Sequence, residues 1–210
     1  MSASKKIVIG ITGGVATGKS TVVSLLKKDF KYFTSADEIA HRIVKPGRPA
    51  FKKIDRTFGK GILAKDGTID RKLLASLIFN APAKRKQLEG ITHPLIISTM
   101  KKDIAAFKKK ARVVLFEAPL LFEARMQKMA DIIVVVASSQ KNQIKRFVKK
   151  GYSKSETLRR IKAQIPLKTK IKNADIVIYN DGSVKDLKKS VKELTVIIKK
   201  MTNDKVQITI

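Results

Sequence analysis

Unbroken apolar runs set the frame of this 210-residue chain: Ile7-Val8-Ile9-Gly10-Ile11, Val113-Val114-Leu115-Phe116, Ile132-Ile133-Val134-Val135-Val136 and Ile176-Val177-Ile178-Tyr179. None alternates with polar residues, as a strand with one wet face would. They are continuous and largely β-branched, the pattern of strands buried on both faces. Lys31-Tyr32-Phe33-Thr34 reads as a shorter strand. Helical periodicity fills the gaps, so the pattern predicts an α/β fold, a parallel sheet of about five strands flanked by helices.

The helical stretches are unevenly distributed. One follows the first strand at Thr21-Val22-Val23-Ser24-Leu25-Leu26, and another opens at Ser35-Ala36-Asp37 and runs through Val44, with Ser35 or Asp37 as its cap. Pro46-Gly47 breaks it. Four further helical segments are expected at Pro49 to Phe58, Asp70 to Phe79, Pro82 to Gly90 and Pro94 to Phe107. Asp66-Gly67 marks a turn joining Gly61-Ile62-Leu63-Ala64 to Thr68-Ile69 in a small hairpin. This is too much chain for a simple crossover and suggests a helical insertion shaped to hold a second substrate.

Later, Gln140 to Lys150 and Ser153 to Ala163 form a basic helical hairpin about the Gly151-Tyr152 turn, with Glu156 completing a capping box. Such a hairpin at the carboxyl end of a strand is placed to close over phosphates, or is simply a solvated surface feature. Val184, Leu187, Val191, Leu194 and Ile198 make the core stripe of a last helix. Lys205 to Ile210 alternates and reads as an edge strand or a frayed end. The expected organisation is a single domain, with a core at about 1–36, 111–139 and 167–210, an insertion at about 37–110 and a lid at about 140–166.

Between the first strand and its helix stands Gly13-Gly14-Val15-Ala16-Thr17-Gly18-Lys19-Ser20, followed by Thr21. Strand, G-x-x-x-x-G-K-[ST] and helix together spell a phosphate-binding P-loop. Glycines let successive backbone N–H groups turn inward on phosphate oxygens, and the helix adds its positive end. Lys19 can reach the β- and γ-phosphates, and the Ser20 hydroxyl can ligate Mg²⁺. The expectation is a nucleoside triphosphate site formed by Gly13 through Thr21.

Composition narrows the context. Cys is absent, which excludes disulfides, thiolate metal sites and a cysteine nucleophile. The apolar runs are too short to span a membrane. Lys5-Lys6 before Ile7 superficially resembles a secretory signal, but the same residues spell the nucleotide loop, so the expected location is cytoplasmic. With 46 Lys+Arg against 17 Asp+Glu the net charge is +29. The lysines come as scattered pairs, without a basic tail or base-stacking aromatics. Weak polyanion binding is expected, with no specific nucleic-acid partner.

Several stretches, taken in order, resemble the dephospho-CoA kinase family. The family's loop of the form T-G-G-[IV]-[AG]-[ST]-G-K-S corresponds to Thr12 to Ser20, and its D-A-D element to Ser35-Ala36-Asp37. The likeness continues through Ile39-Ala40-His41, Phe58-Gly59, Asp70-Arg71, Leu88-Glu89 and His93-Pro94. It resumes at Pro119-Leu120-Leu121-Phe122-Glu123, Gln143 with Arg146, Arg160-Ile161 with Gln164, and Ala174-Asp175 with Asn180. The resemblance implies transfer of the ATP γ-phosphoryl group to the ribose 3′-hydroxyl of dephospho-CoA, with Mg²⁺ and ATP as co-substrate. It assigns Asp37 as the base that contacts that hydroxyl, at the carboxyl edge of the strand beside the P-loop.

The same resemblance makes Arg146 the lid arginine that neutralises the transferring group, with Lys19 in the loop as the third catalytic residue and Arg160 a second lid candidate. The insertion becomes the CoA-binding region, with His93 and Arg71 near the acceptor or bracing it; His93 reads equally as a buried turn residue. Ser35 stands where the family has its first Asp, and Lys150 where an arginine is usual. Glu117 can hold Mg²⁺ through water, whereas helix-start electrostatics accounts for Glu123. Two rival readings are another P-loop nucleoside or nucleotide kinase and a nucleic-acid-binding ATPase. The ordered motifs through the insertion speak against the first, and the missing charged stripe and aromatics against the second.

Overall fold

The computed structural model describes residues 6–79 and 81–202. The stretch expected at Lys205 to Ile210 as a strand or frayed end lies outside them. The described chain divides into two compact units, one holding residues 6–34 and 104–202 and the other lying within residues 35–103.

The first unit is built on the sheet. Strands β1 (Ile7–Gly13), β2 (Phe33–Ser35), β3 (Val113–Glu117), β4 (Ile132–Ala137) and β5 (Ile176–Tyr179) stand in the order β2-β3-β1-β4-β5. The β1–β3, β1–β4 and β4–β5 pairings are parallel, with Ile9 beside Leu115 on one side and beside Ile132 on the other. All seven residues of β1 are buried, because it is central in the sheet and covered on both faces. The carboxylate of Asp131 accepts from the N–H of Val8, and that of Asp175 from the N–H of Ile133. These side-chain bonds satisfy backbone donors where neighbouring strands begin, and so help to fix register.

Helices α1 (Lys19–Leu26) and α9 (Val184–Thr202) close one face of the sheet. Val22, Val23 and Leu26 meet Leu187, Val191, Leu194 and Ile198 in one buried cluster with Ile9, Leu115 and Val134. The expected apolar stripe of α9 is confirmed except at its first member. Val184 is 64% exposed, since it sits in the opening turn. Thr195 and Thr202 extend the buried stripe instead, each returning its hydroxyl to a carbonyl four residues earlier.

Between β4 and β5 lie α6 (Gln140–Val148), α7 (Lys154–Lys162) and α8 (Leu167–Lys172). The first two are the expected hairpin. Only half of its capping box forms: Ser153 accepts from the N–H of Glu156, but the Glu156 carboxylate turns to Arg160, 2.9 Å away. The short α8 follows Pro166 and was not anticipated from the pattern.

The second unit holds α2 (Ala36–Ile43), α3 (Pro49–Phe58), α4 (Arg71–Phe79) and the first part of α5 (Pro82–Lys108). Its core gathers Ile54, Ile62, Ile69 and Leu74. The hairpin at Asp66-Gly67 is reduced to a bridge between Leu63 and Ile69, with Gly67 at φ 77° in the turn. The two helices expected at Pro82 to Gly90 and Pro94 to Phe107 are one 27-residue helix with Pro94 inside. A proline removes a single backbone donor, and a helix this long has enough remaining bonds and buried side chains, such as Ile96 and Met100, to continue past it. His93 is therefore a half-buried mid-helix residue rather than a turn residue.

Candidate active site

The chain leaves β1 for one side of the sheet and returns to the other, so a crevice opens at the carboxyl end of β1. The P-loop occupies this point. Gly13 is required there because a Cβ would lie 2.5 Å from the carbonyl oxygen of Val136 on β4. Gly18 is required twice over. Its φ of +93° disfavours any side chain, and a Cβ would sit 2.0 Å from the Asn180 amide. Ala16, not a glycine, takes the other left-handed position, at φ 53°.

The loop is held from within and from behind. The Thr17 hydroxyl, fully buried, donates to the Gly14 carbonyl at 3.1 Å. The Thr17 carbonyl in turn accepts from the Asn180 side-chain amide at 2.8 Å. Among the described residues no group accepts from the backbone N–H of Val15, Ala16, Gly18 or Ser20. These donors, at the positive end of α1, make an anion cradle. Val15 and Ala16 are half-buried, and Ser20 and Thr21 are exposed in the first turn of α1.

Lys19 begins α1 and meets the carboxylate of Glu117 at the end of β3; each side chain is 12% exposed. Arg146 on α6 reaches the same loop from the hairpin. Its guanidinium donates to the Asn180 carbonyl at 2.6 Å, to the Ser138 hydroxyl at 3.2 Å and to the Thr17 carbonyl at 3.4 Å. Asp181, next along the chain, accepts from the Ser139 N–H, the Asn142 amide and the Ser138 hydroxyl, each at 2.8 Å. Those donors, the Ser139 N–H foremost, hold its carboxyl well below the usual carboxylate range. The loop, Lys19, Glu117, Arg146 and Asn180 thus form one polar cluster.

Matching comparisons put a name to this arrangement. The family model for dephospho-CoA kinase matches residues 7–186. The chain belongs to the dephospho-CoA kinase family. A relative called dephospho-CoA kinase from Carboxydothermus hydrogenoformans is 41% identical over 194 residues, covering 91% of this chain and 93% of that one. Among solved structures, a Thermus thermophilus protein is 31% identical with a TM-score of 0.77, covering 92% of this chain and 98% of that one. A dephospho-CoA kinase from Campylobacter jejuni is 28% identical with a TM-score of 0.69, covering 93% and 96%. Dephospho-CoA kinases are ATP-dependent phosphotransferases acting on an alcohol group, which fits a loop built for a triphosphate.

Of the residues singled out from the sequence, the structure brings the loop, Lys19 and Arg146 together within the first unit. Asp37 belongs to the second, in the first turn of α2, exposed and without a partner among the described residues. Ser35, not Asp37, is the cap of that helix; its hydroxyl accepts from the Glu38 N–H at 3.5 Å. The strand leading to Asp37 is not the neighbour of the P-loop strand, because β3 stands between β2 and β1. The carboxylate that ends the adjacent strand is Glu117.

One further correction concerns the β3 loop, and the hairpin shows how its second arginine is held. Arg160 lies over the stacked rings of Phe147 and Tyr152 and pairs with Glu156, a brace within the hairpin. Glu123 does not open a helix. It pairs with the fully buried Lys170 of α8 at 2.8 Å and accepts from the Ile165 N–H at 3.0 Å. Sequence reasoning missed Lys170, for which one lysine among many gives no signal, and Asp181. The turn Asn180-Asp181-Gly182 directly after β5, an edge strand with only Ile178 buried rather than the expected strand covered on both faces, could have flagged the latter.

Proposed function

We propose that this chain transfers the γ-phosphoryl group of ATP to the 3′-hydroxyl of dephospho-CoA, the last step of coenzyme A formation, in the cytoplasm. The observation that carries it is membership of the dephospho-CoA kinase family joined to an intact phosphate cradle with Lys19 and Arg146 on it. In this reading the loop N–H groups and Lys19 hold the β- and γ-phosphates, and Arg146 moves from the Thr17 carbonyl to the transferring group. The α6–α7 hairpin acts as the lid, and residues 37–110 take the acceptor.

The acceptor step balances simply. The 3′-hydroxyl gives its proton to Asp37, its oxygen bonds to the γ-phosphorus, and the bond from that phosphorus to the β–γ bridging oxygen breaks, releasing ADP. Asp37 suits the role because, among the described residues, no group competes for its carboxylate. Among the described residues no group of three or more acidic, His or Cys side chains could hold a metal by itself. A hydroxyl at Ser20 and a nearby carboxylate at Glu117 nonetheless suit Mg²⁺, which takes few protein ligands and completes its shell with phosphate oxygens and water. Bound there, the ion would neutralise charge on the β- and γ-phosphates.

The test is direct. Incubation with Mg-ATP and a panel of acceptors, followed by mass spectrometry, should show efficient phosphate addition to dephospho-CoA alone. Comparable phosphorylation of adenosine, uridine or nucleoside monophosphates would replace this reading with that of a general nucleoside or nucleotide kinase.

A further inference from the structure

Lysine pairs that look scattered along the sequence gather into a stripe on the last helix. Lys185, Lys188, Lys189, Lys192, Lys199 and Lys200 all stand on α9, and all are exposed. At 3.6 residues per turn they fall within an arc of about 120°, and no acid stands among them. Asp186 and Glu193 lie just past its edge, and Asp186 is turned back on the N–H and hydroxyl of Ser183. The stripe runs about 22 Å along the solvent side of the helix.

This surface is not purely polar. Val196 stands among the lysines and Ile197 beside it, 45% and 43% exposed. Between α9 and the end of α1 lies a groove of about 300 Å³, walled by Lys28, Lys188, Lys192 and Lys199 with Leu25 and Val196. The acid that lines it, Asp29, is held by Lys199 at 2.5 Å. Long lysine stems lie along apolar surface while their ammonium groups stay in water. Cations interleaved with aliphatic side chains fit a layer of anionic headgroups over hydrocarbon. A second copy of this chain would set lysine against lysine. A nucleic acid would find no aromatic ring on α9 for its bases, and nothing to place against the valine and isoleucine.

We propose that the outer face of α9 docks on an anionic phospholipid surface, its lysines on headgroup phosphates and Val196 and Ile197 in the interfacial layer. The groove seats one phosphate between the two helices. It lies past the last turn of α1, whereas the P-loop precedes the first, so docking leaves the nucleotide loop open. Among the described residues no helix is long and apolar enough to cross a membrane. The contact is peripheral and reversible, and it weakens as salt screens the lysines.

Co-sedimentation of the full chain with vesicles tests this, using phosphatidylcholine alone or mixed in about equal parts with phosphatidylglycerol. The wild type should bind the mixed vesicles at low salt and leave the neutral ones in suspension. Lys188→Gln, Lys189→Gln, Lys192→Gln and Lys200→Gln together should weaken that binding at least about a hundredfold. A control set that removes the same charge elsewhere, Lys52→Gln, Lys53→Gln, Lys109→Gln and Lys110→Gln, should change it by no more than about threefold. Val196→Ser with Ile197→Ser should cost about tenfold on mixed vesicles and leave retention on duplex DNA unchanged. All three variants should melt and bind ATP as the wild type does, because the changed side chains lie at the surface and outside the nucleotide loop. Equal loss in the two lysine sets, equal binding to neutral vesicles, or a serine variant that binds mixed vesicles like the wild type would overturn the proposal. So would a serine variant weakened equally toward vesicles and DNA, which would leave a general polyanion face. If the serine pair does not fold, Val196→Thr decides it by the same criterion.

Discussion

The ammonium of Lys19 rests on the carboxylate of Glu117, with both side chains nearly withdrawn from solvent. A nucleotide entering the loop must draw that lysine onto phosphate or share it with the glutamate. The pair therefore links the stability of the protein to the charge that the proposed phosphoryl transfer would draw on.

Lys19→Ala should reduce phosphoryl transfer at least about a hundredfold by removing charge stabilisation at the γ-phosphate. It should also lower the melting temperature, because Glu117 is left largely desolvated and unpaired. Adding Glu117→Gln to Lys19→Ala should return most of the melting temperature and none of the activity. A double variant that regains both would reduce Lys19 to a structural brace.

Asp37 and Ser35 separate cleanly in the structure, and so do their expected variants. Asp37→Asn should lower kcat by about 10²–10⁴-fold, the usual range for a lost general base, with nucleotide affinity changed only a few-fold and melting unaltered. Ser35→Ala should cost about 0.5–1 kcal/mol of stability, the lower range for a lost cap, given the long 3.5 Å contact to Glu38. Wild-type turnover in Asp37→Asn would remove it from the reaction.

These two residues also show how far the sequence could be read. The strand runs, the P-loop and the hairpin were legible because burial on both faces and phosphate binding each demand a particular local spelling. Strand order was not. Nothing in Phe33-Thr34-Ser35 says whether it pairs with β1 or β3, and β3 took the place assumed for it. Pro94 misled for a different reason: proline is a strong local signal, but tertiary burial of Ile96 and Met100 overrode it. Ion pairs such as Lys19–Glu117 join residues far apart in the chain, and their identity is fixed only once the sheet has formed.

Asp181 contributes a pH dependence to stability. Its folded-state pKa is depressed by the Ser139 N–H, the Asn142 amide and the Ser138 hydroxyl, below an unfolded value of about 3.9. Its stabilisation is therefore fully present above the unfolded value and is lost as pH falls through the folded one. Urea midpoints should favour wild type over Asp181→Asn near neutrality, and the gap should narrow as the pH drops below about 4. A gap constant across that range would mean the amide, not the charge, is what differs.

The buried pair of Lys170 and Glu123 gives the strongest stability test. Lys170 has no exposed side-chain surface and donates to Glu123 and to the Pro119 carbonyl, which also receives the Thr12 hydroxyl from the end of β1. One oxygen of Glu123 already lacks a partner among the described residues. Lys170→Met removes the cation and leaves that carboxylate without its counter-charge, so the loss should be about 3 kcal/mol or more. Glu123→Gln in the same chain removes the stranded charge while keeping an oxygen for the Ile165 N–H. The double variant should recover at least half of the loss in denaturant unfolding. Equal destabilisation of the single and double variants would show that α8 is held by packing alone, and that the charges at 123 and 170 merely tolerate one another.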